Sequence, residues 1–348
     1  MSRVLVIGGG IAGCSAATFL AASGVEVVVY ERRRKRNDPG EPKYGESLPP
    51  DSQTLLMELG IWEEFQLAGH LPCYFHKSYW GNDEVTHRDF LNHPLGHGWH
   101  LDRVAFEQMM LDRCCAVGAK IVNHVPEKIE RSASGWLVDG EEIDFIIDAS
   151  GRSSWFAKRQ GVERLVDEKL LGLIAFLQSE RELDDSSSLT ESVGSDWWYS
   201  AAIPGKRMAT VFVGRPDPEQ GKKWRSEQGW WDLLEQAPHT QKRIQDGGFA
   251  LMQQPKLVSI ESSILKSLVG DAWLAVGDAA LSYDPIASHG IMMAMVSARD
   301  AAAAVKASLA GNQSPLLDYD ERLGEAFYHY VRQRHALYDQ LESQIIAL

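Results

Sequence analysis

No apolar run in the chain reaches the roughly 18 residues that a membrane-crossing helix needs, so no membrane span is expected. Basic residues are in deficit. Thirty-five Lys and Arg against 48 Asp and Glu give a net charge of −13, which argues against nucleic acid or an anionic membrane as the main partner. Cysteine is scarce: Cys14, Cys73, Cys114 and Cys115 form no CxxC pair and have no metal-ligand spacing. A disulfide framework and a metal site are therefore not expected, and reduced thiols in a cytoplasm are the simplest reading. The opening "MSRVLVIGGG" lacks the charged start, long apolar core and cleavage site of a signal peptide. Repeats and low-complexity tracts are absent as well.

What the chain does have is 348 residues, 44% of them apolar, enough for about two domains of roughly 100–200 residues. Tryptophan is plentiful at 11, with two adjacent pairs, Trp197-Trp198 and Trp230-Trp231. Such pairs read either as core packing or as an aromatic docking surface. Residues 70–100 crowd six histidines (His70, His76, His87, His93, His97, His100), whose spacing fits no metal motif and reads as scattered polar surface.

"RVLVIGGGIAGCSAATFLAASGVEVVVYE" reads as strand, glycine turn, helix and strand, one βαβ unit. Residues 37–50 are loop by their Pro and Gly, and "DSQTLLMELGIWEEF" reads as one helix with an Asp N-cap. "DRVAFEQMMLDRCCAVGAK" predicts a helix, "KIVNH" a strand, and "GWLVDG" with "EEIDFIIDASG" a hairpin followed by a buried strand. Residues 156–257 change character: "LLGLIAFLQSE", "WWYSAAIP" and "RMATVFVGRP" alternate with polar turns, with one helix near "WWDLLEQA". A last helix starts near Ser314-Pro315, with Leu337, Leu341 and Ile345 as its apolar stripe.

Gly8-Gly9-Gly10-Ile11-Ala12-Gly13 fits G-x-G-x-x-G in the required context, with a strand before it, a helix after it and Glu31 closing the second strand. Glycines there let backbone approach a pyrophosphate, and the acid accepts hydrogen bonds from ribose hydroxyls. The run Arg32-Arg33-Arg34-Lys35-Arg36 reads as solvated surface or as a neighbour of those phosphates. The fingerprint alone leaves NAD and FAD open. "GDAALSYDPIASHGI", residues 277–291, selects FAD. A second Gly-Asp, Gly277-Asp278, suits the ribityl hydroxyls of a longer ligand. Pro285, Gly290 and Ile291 would bring helix N–H groups to the flavin's pyrimidine edge.

Together "GGGIAG", Glu31, Arg103 in "HLDRVAFEQMML", "IIDASGR" and "GDAALSYDPIASHGI" resemble the p-hydroxybenzoate-hydroxylase-like flavoproteins, which include the tryptophan halogenases. The resemblance implies an α/β FAD-binding Rossmann-like domain with an inserted, mainly antiparallel β-sheet substrate domain. Residues 1–69, 101–155 and 258–348 fall in the first, and 70–100 and 156–257 in the second. It implies FAD contacts at Gly8, Gly10, Gly13, Glu31, Arg32, Arg103, Gly277, Asp278, Pro285, Gly290 and Ile291. "YGESLPP" resembles the strap between cofactor and substrate pockets. Three departures count against halogenation. Ala287 stands at the halogenase acid, the halogenase Lys falls near Pro72 with Lys77 out of register, and Trp-x-Trp-x-Ile-Pro becomes Tyr199-x-Ala201-x-Ile203-Pro204.

The chain is similar to the flavoprotein maturases of tryptophylquinone-containing amino-acid oxidases. That resemblance implies oxygenation of a tryptophan side chain in a partner quinoprotein precursor, with a separate flavin reductase as a further partner. A monooxygenase of a free small aromatic, a non-catalytic flavin-binding assembly factor and an isoprenoid-chain reductase are the alternatives. The general base has two candidates, His289 and Asp284. Lys77 and Tyr199 line the expected substrate side, and Glu46 serves either chemistry or the strap backbone. Residues 70–100 with the aromatics of 195–231 would form the docking face.

Overall fold

The computed structural model describes residues 2–32, 43–90, 92–181, 185–215 and 217–346. Positions 33–36 of the basic run and 37–42 of the expected loop lie outside them.

The first strand, Arg3–Ile7, is central in a six-stranded sheet, and Val4, Leu5 and Val6 have no exposed surface. A strand covered on both faces needs such a continuous apolar run. Glu26–Tyr30 and Phe145–Asp148 flank it in parallel, with Val4 opposite both Val27 and Phe145. Lys120–Val122 and Trp273–Ala275 extend the parallel order outward, and Val269–Gly270 closes one edge antiparallel. Helix Ile11–Ala22 packs against the helices Gly290–Leu309 and Arg103–Ala116. Its Ala16 and Ala17, like Ala298 and Ala301 of the partner helix, are fully buried. The expected hairpin is present as Trp136–Val138 paired with Glu141–Ile143, joined by Ile129–Arg131.

A second sheet of eight strands is antiparallel except where Phe75–Tyr79 runs parallel to Ser188–Val193. Leu171–Gln178, Arg207–Gly214 and Asp196–Ile203 form its centre, in the segments the sequence marks as strands. Within the 70–100 segment only Phe75–Tyr79 and Val85–Asp89 join this sheet. Leu71–Cys73 and Gly98–His100 instead pair with Ser47–Leu48 of the strap in a small sheet.

Two expectations are corrected here. The single helix read over "DSQTLLMELGIWEEF" is two, Ser52–Leu59 and Trp62–Leu67, and Asp51 makes no side-chain cap. Gly60 turns left-handed (φ +70°) and Arg113 Nε donates to Leu59 O at 2.8 Å, so the first helix is stopped by a cap from a distant helix. The aromatic docking face is also not formed by the tryptophan pairs. Trp197 and Trp198 are 1% and 0% exposed, and Trp230 is fully buried. Neighbours on a strand point to opposite faces. Trp198 therefore meets Trp230, 5.5 Å between ring centroids, under the helices Pro218–Trp224, Glu227–Leu234 and Pro238–Asp246. Three helices stand where the sequence suggested one.

The last helix, Ser314–Ile346, begins at the expected Ser-Pro. Leu341 is buried and Leu337 half-buried, while the side chain of Ile345 lies outside the described set. Tyr338 and Arg334 share the buried face, and Trp197 donates to the Tyr338 hydroxyl at 2.8 Å.

Candidate functional site

The glycine loop leaves no room for a side chain at two of its positions. A Cβ on Gly8 (φ +111°) would lie 2.3 Å from Ala149 O, and one on Gly13 would lie 1.9 Å from Gly8 O. These two contacts seat the helix against the strand end. At Gly10 the missing side chain faces open space, which leaves the backbone accessible. Gly10 is the N-cap of helix Ile11–Ala22 and supplies no side-chain acceptor, so the first turn's N–H groups are not capped. Glu31 follows the second strand, and its Oε2 accepts the Gly9 N–H at 2.7 Å. Arg32 is exposed beside it and is not among the residues lining the cleft.

The second loop meets the first. Gly277 (φ +56°) lies so close to the glycine helix that a Cβ would stand 2.7 Å from Ala12 Cβ, and its N–H donates to Ser297 Oγ at 3.0 Å. Asp278 follows, half exposed, with Arg152 Nε 3.6 Å from its carboxylate. Pro285 opens a short 3-10 turn, and Ile291 lies in the first turn of helix Gly290–Leu309. That helix also starts without a side-chain cap, with open space at Gly290. Two uncapped helix N-termini thus border one cleft of about 300 Å³. Such ends favour negative charge.

Arg103 lines this cleft. Its Nη1 donates to Tyr44 O (2.8 Å) and Gly45 O (2.5 Å), and its Nη2 to Glu107 (2.7 Å). Its Nε is buried with no partner, a donor left for a ligand. Gly10, Ile11, Arg103, Asp278, Pro285, Gly290 and Ile291 border the cleft together, and Gly8, Gly13 and Gly277 shape it from beneath. An orphaned guanidinium nitrogen, a glycine cradle and two positive helix ends along one groove fit the pyrophosphate and flavin of FAD.

Beyond this groove the cleft widens among Glu46, Ser47, Tyr199, Val211, Ile260, Tyr283, Asp284 and His289. His289 is exposed at the mouth. Desolvation by its surroundings, with the charge of Arg88, holds its imidazole below the ordinary value, so it is neutral at pH 7. Glu46 is 2% exposed and burial raises its carboxyl, with a hydrogen bond from Tyr199 opposing. The Tyr199 hydroxyl also bonds Ser47 Oγ at 2.8 Å.

Two candidates lose the role expected of them. Lys77 does not border the cleft: its ammonium pairs with Asp185 at 2.7 Å and sits over the Phe75 ring. Asp284 lines the cleft, where three donors hold it. Its Oδ1 accepts the Ile286 N–H at 3.0 Å, and its Oδ2 accepts Arg334 Nε at 3.0 Å and the Tyr338 hydroxyl at 2.8 Å. Burial pushes its carboxyl up to about 6. It anchors the last helix, with three of its roughly four lone-pair positions already taken.

The histidines of 70–100 are also not all at the surface. His100 is fully buried, and His70 and His76 are half-buried against Phe65 and Phe90. Among the described residues no group of three His, Cys, Asp or Glu could hold a metal, and no helix is long and apolar enough to cross a membrane. Sequence reasoning missed Ser47, Tyr283 and Arg152 at the cleft, although Arg152 stands inside "IIDASGR". Nothing local flagged Arg334 or Tyr338.

Comparison with known proteins agrees with this geometry. The family model described as "FAD binding domain" matches residues 1–328. The chain is 27% identical to "Putative FAD-dependent oxidoreductase LodB" of Marinomonas mediterranea, over 95% of this chain and 91% of that protein. It is 25% identical to "Tryptophan 2-halogenase" of Chondromyces crocatus, over 97% of this chain and 66% of that one. Among solved structures, the flavin-dependent halogenase CmlS superposes with a TM-score of 0.82 at 24% identity, covering 94% of this chain and 63% of CmlS. The flavin-dependent brominase Bmp2 gives 0.79 at 18% identity, covering 99% and 93%.

Proposed function

The chain belongs to the FAD-binding-domain family and is an FAD-dependent oxidoreductase, and on that premise we propose that it is a monooxygenase. Its substrate in this reading is an electron-rich aromatic ring, a tryptophan side chain of a partner quinoprotein precursor. The observation that carries the reading is the single cleft. An anion-binding groove built from two helix ends runs without interruption into a chamber lined by Tyr199, Val211, Ile260 and Tyr283. An exposed mouth at His289 and Tyr44 suits a ring carried on another chain. The near full-length match to LodB supports the same branch.

In this assignment Gly8, Gly10 and Gly13 admit the pyrophosphate, Glu31 accepts from the ribose, Arg103 Nε donates along the cofactor, and Gly277, Asp278 and Gly290 border the flavin end. FAD, when bound and reduced, supplies the activation of dioxygen. The chain's own tasks are to exclude water, which the apolar wall of Val211 and Ile260 does, and to orient the ring between Tyr199 and Tyr283. Neutral His289 can accept a proton at the mouth. A separate flavin reductase supplies the electrons.

The test is co-expression with a candidate quinone-cofactor oxidase precursor. Mass spectrometry of that precursor should find oxygen added to tryptophan. An unmodified precursor alongside rapid turnover of a free indole or phenol would replace the partner-protein reading with a small-molecule one.

A further inference from the structure

Glu46 differs from every other carboxylate that borders the cleft. Glu107 is paired with Arg103 and Lys43, Asp278 lies beside Arg152, and Asp284 is held by three donors. Glu46 enters no ion pair among the described residues. Arg103 is felt only as a charge, because its Nη1 and Nη2 are spent on Tyr44, Gly45 and Glu107. The backbone at Glu46 is fixed, since its carbonyl accepts the Leu101 N–H at 2.9 Å and Ser47 pairs with His100.

The side-chain bonds of this carboxyl have a direction. Tyr199 has one hydroxyl proton. When it donates that proton to ionised Glu46, its oxygen can only accept from Ser47, 2.8 Å away. When Glu46 is protonated, the order reverses: Glu46 donates to Tyr199 and Tyr199 to Ser47. A proton can therefore arrive at Glu46 without any heavy atom moving, at a carboxyl that burial has already made more basic.

We infer that Glu46 is the proton acceptor of the substrate chamber, taking the ring proton of the aromatic substrate, with Ser47 and Tyr199 as its positioning pair. The inference rests on the aromatic-oxygenation reading. Once oxygen has bonded to the ring carbon, the C–H bond at that carbon breaks. Its electron pair restores the aromatic ring and its proton passes to a Glu46 oxygen. Dioxygen and two-electron-reduced flavin are the co-reactants. The sum is aromatic C–H plus dioxygen plus reduced flavin giving aromatic C–OH, water and oxidised flavin.

Two measurements on the FAD-loaded protein separate this inference from the reading beneath it. The first needs no substrate: infrared difference spectra across a pH titration, read at the C=O stretch of a protonated carboxylic acid. The wild type should show more than one band that titrates above the ordinary carboxylate range, because burial raises Asp284 and Asp196 as well as Glu46. Glu46→Gln should remove one of these bands and leave those of Asp284 and Asp196, and Tyr199→Phe should shift that same band. Arg103 and Tyr199 face the group and are unchanged in Glu46→Gln. A Glu46→Gln variant that keeps every band of the wild type overturns the inference whatever the activity.

The second uses N-acetyltryptophanamide as probe, with chemically reduced flavin. Glu46→Gln should lower kcat by about 10²-fold or more while flavin absorbance and KM stay unchanged. A ring-deuterium isotope effect absent from the wild type should appear with it. Unchanged kcat refutes the role. If even the wild type gives no product with any aromatic, the oxygenation reading falls, and the ring-proton role falls with it even where the infrared band follows Glu46.

Discussion

Acid should weaken the fold through His100. This residue sits in the small sheet that holds the strap, fully buried, with neither ring nitrogen bonded. Burial, then the charges of Arg243 and His76, hold its imidazole down at about 3, against weaker raising effects from Ala202 and Asp185. In the unfolded chain the same ring takes a proton near the ordinary value of about 6.5. Between those values the unfolded state carries the extra proton, so stability is full above the upper value and is lost as pH falls. Each unit is worth about 1.4 kcal/mol, so by pH 4 this one ring removes about 3 kcal/mol, a large share of a typical domain's stability. Urea unfolding at pH 7 and pH 4, read by tryptophan fluorescence, measures the loss. His100→Leu replaces the ring by an apolar side chain that cannot titrate, and should lose about 3 kcal/mol less than the wild type over the same interval. Equal losses in the two proteins would refute the reasoning.

Glu31→Ala should weaken FAD binding by about 1–3 kcal/mol, the cost of leaving hydrogen-bonding groups unpaired, and an unchanged affinity in titration would refute the ribose assignment. With chloride or bromide and a reductase supplying reduced flavin, no halogen should enter tryptophan, because Ala287 stands at the acid position and Lys77 pairs with Asp185 outside the cleft; halogenated product would overturn this. Arg334→Met should destabilise by about 3–5 kcal/mol, since it leaves buried Asp284 without a cation, while Asp167 and Glu168 keep only His335 and Arg215. A melting temperature equal to the wild type's would show that buried Asp284 does not depend on it.

The parts of the site that were legible in the sequence are those made by short-range backbone geometry. The glycine loop, Glu31 at the end of the next strand, and the Gly-Asp turn after Trp273–Ala275 need only a few neighbouring residues to define them. Side-chain commitments across the chain were not legible. Asp284 looked like a free acid because its partners, Arg334 and Tyr338, come 50 and 54 residues later. Lys77 looked like a cleft residue because proximity to an aligned position says nothing about which partner its ammonium finds, here Asp185, 108 residues on. Adjacent tryptophans looked like one surface patch, but on a strand they serve two different cores, one with Tyr338 and one with Trp230. The buried ring of His100 was hidden by a polar neighbourhood whose small sheet pairs three separated segments.

The bond from Tyr338 and the ion pair from Arg334 to Asp284 also set an order in time. During synthesis the glycine loop leaves the ribosome first and its helix can form early. The loop that completes the cleft follows far later, and the side chains that fasten it come after almost everything else described. A nascent chain therefore presents half a cofactor groove with its far wall unlatched. The wall of the cleft that Asp284 forms is thus fastened only in chains whose final helix has docked.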